Sequence, residues 1–342
     1  MKPGNTASIT NSAAGDWRSC RRLYQYRQEL AIEPIGREDA WALRFGTLYH
    51  GGLEVWFSTG DLAAVKSYLQ GQCDGIRHGD EESLIAYHTA RIMIEGYVQR
   101  WADVDRHIAF SLPEQQFDVP VRNPATGRPS RRFRFRGKLD LPVLYQDGTI
   151  RLMEHKTAGS IDGPYLERLW ADTQITGYVA AMRDIGLDVR EVVYDVAIKP
   201  TIRRGREETV EDYVRRLSWL YVLGMSPGRL KQRKSETMDE FADRVMADGT
   251  PVDLYHREIV VIGDRQIEEW RADLWDTTQE ILWARQHNRF PRNTKRCFDW
   301  GRVCAYAPIC QSLGSEDLII QTEYQQRELH PELDGDNETT PF

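Results

Sequence analysis

Two acids and a lysine stand where metal-assisted hydrolysis would want them. Asp140 closes one apolar run, Gln146-Asp147-Gly148 makes a turn, and the next run ends Glu154-His155-Lys156. Strand side chains alternate with period two, so Glu154 and Lys156 share a face and His155 points to the other. Paired carboxylates hold Mg²⁺ or Mn²⁺ through oxygen, and an ion so held activates water against a phosphodiester. A lysine on that face orients the water or offsets the negative charge that develops on the phosphate. Glu-x-Lys alone is more often a surface ion pair. The upstream Asp140, across a tight hairpin, gives the spacing its chemical content.

Helices and strands must bring these residues together. Helical periodicity runs through Asp16–Tyr24, Ala40–Phe57 and Glu82–Trp101, so the chain up to about Asp105 reads as mostly helix. The pattern then changes. Leu112–Val121, Phe133–Leu144 and Thr149–Thr157 read as strands, with Asn123-Pro124-Ala125-Thr126-Gly127 a turn between the first two. Tyr165–Ile185 reads as one helix, and Glu191–Lys199, apolar and β-branched, as a buried strand returning parallel to its neighbour. Further on, Glu207–Gly224, Ser235–Asp248 and Asp264–His287 read as helices and His256–Ile262 as a strand. The fold class is therefore α/β.

The formal net charge of −7 is no guide to partners. All of it falls from Leu313 onward, where eight acids face Arg327 alone, so the rest of the chain is neutral and local patches decide. No apolar run approaches the ~18 residues of a membrane helix, and the first twenty residues lack a hydrophobic signal core. A cytoplasmic protein is expected, bacterial or, if phage-encoded, in the host cytoplasm, with no membrane partner. A Gly-x-x-x-x-Gly-Lys-[Ser/Thr] phosphate loop is absent, which excludes an ATP motor of that class.

Asp140 with Glu154-His155-Lys156, preceded by Arg136-Gly137-Lys138-Leu139, resembles the PD-(D/E)xK nuclease superfamily. Within it the chain is similar to the RecB-type branch, which includes AddB-like and CRISPR-associated exonucleases and phage relatives. That resemblance implies a restriction-endonuclease-like core, a mixed central sheet in αβββαβ order, with helical N- and C-terminal additions. It implies further residues. Gly46-Thr47-Leu48-Tyr49-His50 matches a Gly-x-x-x-His whose His is a metal ligand beside Asp140 and Glu154. Gln174-Ile175-Thr176-Gly177-Tyr178 matches a Gln-x-x-x-Tyr, one helical face at i,i+4, that positions DNA or Lys156. Glu114 is the candidate for an accessory acid on the first core strand. The implied activity is Mg²⁺- or Mn²⁺-dependent DNA cleavage, with exonuclease processing of DNA ends in recombination, repair or phage DNA metabolism the expected role. The implied partners are DNA, single- or double-stranded, and a recombinase, single-strand-binding protein or helicase. A catalytically silent DNA-end-binding scaffold is the rival reading.

Cys297, Cys304 and Cys310 form C-x6-C-x5-C, and Cys20 is available upstream as a fourth ligand; Cys73 has no ligand spacing around it. Four thiolates suit a [4Fe–4S] cluster or a structural Zn²⁺. One cysteine near the start and three near the end resembles the iron–sulfur staple of the RecB-type branch. The first C-terminal gap departs from that pattern, six residues instead of two, which keeps zinc open.

On this reading residues 1–15 are a loose N-terminus and 16–312 a single nuclease domain: a helical part 16–105, the α/β core 106–206, and a helical part with the cysteines 207–312. Residues 313–342 are expected to be an acidic, disordered tail. Arg132, Arg134 and Arg136 alternate with inward Phe133 and Phe135, a stripe that suits either phosphate contacts or a charged, aggregation-resistant edge strand. Arg203 and Arg204 belong to a second basic cluster with the same expected role.

Overall fold

The computed structural model describes residues 6–36, 41–74, 81–199, 208–222, 254–299, 302–312 and 314–333. The expected helix Ser235–Asp248, the basic pair Arg203 and Arg204, and the last nine residues of the chain lie outside the described residues.

The centre is a five-stranded sheet in the order β3-β6-β7-β8-β9. Its strands are β3 (Ile108–Ser111), β6 (Leu141–Tyr145), β7 (Ile150–Ala158), β8 (Glu191–Ile198) and β9 (Tyr255–Val261). β6 and β7 form the hairpin read from the sequence. Gly148 supplies its left-handed residue at φ 84°, and the Asp147 carboxylate accepts the Thr149 amide at 2.9 Å. β7 and β8 run parallel, with Glu154 opposite Tyr194 and Lys156 opposite Val196. A parallel partner requires a crossover, and α6 (Gly163–Trp170) and α7 (Thr173–Asp184) provide it. The single helix expected over Tyr165–Ile185 is thus two. Asp172 ends the first possibility of continuity by capping the second helix, its carboxylate accepting the Gln174 amide at 2.9 Å.

A second sheet holds β5 (Pro129–Leu139) between β4 (Gln115–Arg122) and β1 (Ala7–Ile9). The expected strand Phe133–Leu144 is therefore two strands in two sheets, parted at Asp140. Phe133 and Phe135 point inward and are buried, each worth about 1.5–3 kcal/mol of burial. The edge-strand reading of β5 does not hold, because β1 pairs with it in parallel from Ala7↔Phe133 to Ile9↔Phe135.

That pairing also corrects the loose N-terminus. Residues 7–19 are β1 and α1 (Asn11–Ser19), whose Thr10 cap accepts the Ala13 amide. α1 packs Trp17 and Ala14 into the core shared by both sheets, α7 and α9 (Asp264–His287). A second core joins α3 (Trp41–Thr59), α4 (Leu62–Asp74), α5 (Glu81–Asp105) and α8 (Val210–Val222). The disordered tail is corrected likewise. Residues 316–323 form a helix, and Tyr324–Gln326 pairs antiparallel with Ile32–Pro34. Its anchors are apolar rather than charged: Tyr324 stacks on Tyr306, which stacks on Tyr26.

Candidate active site

The site gathers where the two sheets part. Asp140 lies between β5 and β6, and its Oδ2 accepts the His155 amide of β7 at 3.0 Å. Glu154 is on the buried side of β7, 1% exposed, and its Oε1 accepts from Lys156 Nζ at 2.6 Å. The other oxygen of Glu154, also buried, has no partner among the described residues. Period-two alternation places the pair together as expected, and sends His155 behind the strand among Phe57, Tyr97 and Asp195.

His50 arrives from α3. Its Nδ1 is 3.4 Å from Asp140 Oδ2. Close packing of α3 on its neighbours fixes this approach. A Cβ at Gly51 would fall 2.0 Å from Tyr68 Oη, and one at Gly52 would fall 2.4 Å from Ile94 Cδ1. Gly46, the glycine of the expected motif, has open space beside it.

Glu114 completes the group, although not from a strand. It sits in the turn before β4 at φ 54°, an uncommon conformation for a residue with a Cβ. One ligand atom each from His50, Glu114 and Asp140 lie within 4.8 Å of one another, and among the described residues no other such group of three occurs. Of the three metal ligands expected, the structure brings His50 and Asp140 into this group and turns Glu154 toward Lys156. The donor set fits a divalent ion: carboxylates suit Mg²⁺ and Mn²⁺, and the imidazole inclines the site to Mn²⁺.

Electrostatics follow from crowding. Burial, with the neighbouring carboxylates adding to it, pushes Asp140 and Glu154 up to about 7. Burial also lowers His50, keeping its imidazole neutral and able to ligate. Burial opposes the Lys156 ammonium, but Glu154 and Asp140 outweigh it and hold the lysine firmly protonated.

α7 contributes Gln174 and Tyr178, one turn apart as expected, with Gln174 Nε2 donating to Tyr178 Oη at 2.7 Å. Gly177 lets this helix sit against α9, since a Cβ there would be 2.5 Å from Trp270 Cζ2.

Some participants were not anticipated. Lys138 forms an ion pair with Glu114; its position two residues before Asp140 in the sequence was the available signal. Behind β7, Arg257 Nε reaches Asp195 Oδ2 at 2.9 Å and its NH1 reaches Asp105 Oδ1 at 2.6 Å, while Tyr97 Oη donates to Asp195 at 2.7 Å. No short-range pattern announces a network spread over α5, β8 and β9.

The arginine stripe is partly occupied within the protein. Arg134 Nε contacts Asp118 Oδ1 at 2.5 Å, and Arg136 donates to the Leu333 carbonyl at 2.7 Å. Arg132 is exposed.

Cys20, Cys297, Cys304 and Cys310 line one cavity of about 240 Å³ and form no disulfide. The Asn293 amide donates to Cys20 Sγ at 3.3 Å, joining the chain's two ends. No three of these sulfurs lie mutually within 4.8 Å, whereas Zn–S bonds of about 2.3 Å in a tetrahedron need sulfurs ~3.8 Å apart.

Residues 8–311 match the PD-(D/E)XK nuclease superfamily. The chain belongs to that superfamily. The match spans both sheets, the acid–lysine strand and the cysteine-lined cavity, and a mixed α/β fold of restriction-endonuclease type agrees with it. Among solved structures, a candidate exonuclease of Eubacterium rectale is 12% identical, with a TM-score of 0.48 over 87% of this chain and 89% of that one. The protein SSO0001 is also 12% identical, with a TM-score of 0.27 over 65% and 77%. No curated protein matches the chain. Among the described residues no helix is long and apolar enough to cross a membrane.

Proposed function

We propose that this PD-(D/E)XK nuclease is a divalent-metal-dependent deoxyribonuclease of the RecB-type branch that acts at DNA ends. The observation that carries the reading is the joining of His50, Glu114 and Asp140 within 4.8 Å beside the Glu154–Lys156 pair. When bound, Mg²⁺ or Mn²⁺ supplies Lewis acidity and lowers the pKa of a ligated water. His50, Asp140 and Glu114 would hold the ion beside the buried Glu154 and its partner Lys156.

Lys156 acts as a cation. Held protonated between two acids, it donates to the attacking water or to a phosphate oxygen and offsets charge as it develops. Tyr178 accepts from Gln174, so its own hydroxyl proton remains free to donate to a strand lying along α7. Exonuclease action rests on the resemblance to the RecB-type branch. Labelled linear and circular DNA, single- and double-stranded, test it: linear substrates are shortened from an end while covalently closed circles persist. Cleavage of circles as fast as linears would make this an endonuclease.

With a structural Zn²⁺ as the alternative, the four cysteines surround a common cavity that would suit a [4Fe–4S] cluster. Its role would be structural, tying Cys20 to the segment ending at Cys310.

A further inference from the structure

His155 sits between Glu154 and Lys156 on β7, and nothing in the proposed chemistry uses its side chain. It reaches both residues that meet at the Asp140 carboxylate, by different routes. Its main-chain amide donates to Asp140 Oδ2 at 3.0 Å. Its imidazole, buried behind the strand, has its centroid 6.3 Å from the His50 ring, at an interplanar angle of 83°. His50 Nδ1 in turn lies 3.4 Å from that same Asp140 oxygen.

The imidazole is a seat for α3. His50 and Phe57 are seven residues apart, about two helical turns, so they fall on one face of that helix. Phe57 stacks on the His155 ring at 5.7 Å and 27°, beside the near-perpendicular His50. Tyr97 of α5 closes another side at 6.0 Å and 80°. A flat ring therefore fills the space between α3, α5 and β7. Burial keeps it uncharged, and neither ring nitrogen has a hydrogen-bond partner among the described residues. Asp195 Oδ2 stands 3.8 Å from Nδ1. That carboxylate is itself held, by Tyr97 Oη at 2.7 Å and Arg257 Nε at 2.9 Å, while Arg257 also grips both oxygens of Asp105 at 2.6 and 2.9 Å. A fixed carboxylate on that side favours the tautomer with Nδ1–H toward it, and one rotation of the ring.

We infer that His155 is a positioning residue for the metal group, its amide fixing Asp140 and its ring fixing the height of His50, a reading that rests on the metal-dependent nuclease proposed above. The two routes differ in what a substitution removes. The amide bond to Asp140 belongs to the main chain and survives a change of side chain. The hold on His50 is packing alone, and goes with the ring. Loss of the ring should therefore act on the nitrogen ligand and leave the carboxylates in place.

The full chain is titrated calorimetrically with Mn²⁺, and the Mn²⁺-loaded protein is examined by electron spin-echo envelope modulation, which reads an imidazole nitrogen bound to the ion. The wild type should show that nitrogen. His155→Leu should weaken Mn²⁺ binding about tenfold or more, as loss of a support behind a metal ligand does, and lose most of the nitrogen signal at saturating Mn²⁺. His155→Phe returns a flat ring to Phe57 and should bind within about threefold of the wild type, with the signal kept. Val193→Ala truncates a buried side chain on the same sheet face of the next strand. It should lower the melting temperature yet leave affinity and signal unchanged, which separates positioning from loss of stability. The inference is overturned if His155→Leu keeps wild-type affinity and signal, if Val193→Ala loses them as fully, or if His155→Phe does not recover them. Protein that shows the expected pattern and cuts no DNA keeps the positioning role and loses the nuclease reading. Protein that cuts DNA while His155→Leu binds Mn²⁺ like the wild type does the reverse.

Discussion

The amide of Glu114 donates to the carbonyl of Asp140 at 2.8 Å, across the line where the two sheets part. Two acids of the candidate metal group are thereby registered by backbone, and Glu114 holds a left-handed conformation to do so. Strain of this kind costs about 1–3 kcal/mol and collects at functional sites. Glu114→Gln keeps the backbone link and removes one charge from the group. Calorimetric titration with Mn²⁺ is expected to show affinity weakened about 10–100-fold, comparable to the loss of a supporting contact in known metal sites. Unchanged affinity would remove Glu114 from the ligand set.

Acidity should tune both stability and metal binding. Unfolded carboxyls titrate near ~4, while Asp140 and Glu154 titrate at about 7 in the fold because burial penalises their charged forms. Between those values the native state keeps protons that the unfolded state has released. Stability of the metal-free protein from these two groups therefore falls as pH rises from ~4 to about 7, then levels off. A divalent ion needs the ionised carboxylates, so the rise in Tm on adding Mn²⁺ should be larger at pH 8 than at pH 5.5. Thermal scans at both pH values check this; an equal or larger shift at pH 5.5 would contradict it.

Gly177 is a packing requirement with a catalytic consequence. Gly177→Ala must push α7 off Trp270 and carry Gln174 and Tyr178 with it. A loss of about 1–3 kcal/mol in stability is expected from the overpacking. A fall in cleavage rate beyond the loss of folded protein should accompany it. Denaturant unfolding with cleavage assays on the same preparations measures both, and Trp270→Phe in the same chain should recover part of each.

Local pattern made the centre legible. Asp140 directly precedes the hairpin that carries Glu154 and Lys156, and Gln174 and Tyr178 lie on one helix turn, so short-range spacing with periods of two and 3.6 residues decides their relations. Glu114 reads as a strand residue in sequence because its left-handed turn is set by the Asp140 carbonyl opposite, which no window of sequence around it contains. Residues 7–9 are too few to alternate, and they become a strand only because β5 offers them a free side. Arg136 meets the Leu333 carbonyl from 197 residues away. Such contacts belong to tertiary structure, and they are what turned a proposed outward arginine stripe into a set of mostly engaged side chains. The break at Asp172 was readable, since Asp-Thr-Gln is an N-cap signal inside a longer helical pattern.

The cluster proposed for the cysteine cavity would have a visible signature. Protein prepared without oxygen should be brown and absorb near ~400 nm, as thiolate-ligated iron–sulfur centres do, and Cys304→Ser should lose the colour together with several degrees of Tm. A colourless wild type carrying stoichiometric zinc would refute the cluster.

Lys156 tests the whole account most directly, because it is held cationic by the acids that it serves. Cleavage of end-labelled linear DNA with Mg²⁺ or Mn²⁺ should fall on the order of 10²–10³-fold in Lys156→Ala, with DNA binding in Ca²⁺ retained. Wild-type protein that cleaves no form of DNA, or a Lys156→Ala variant that cleaves as fast as wild type, would contradict it.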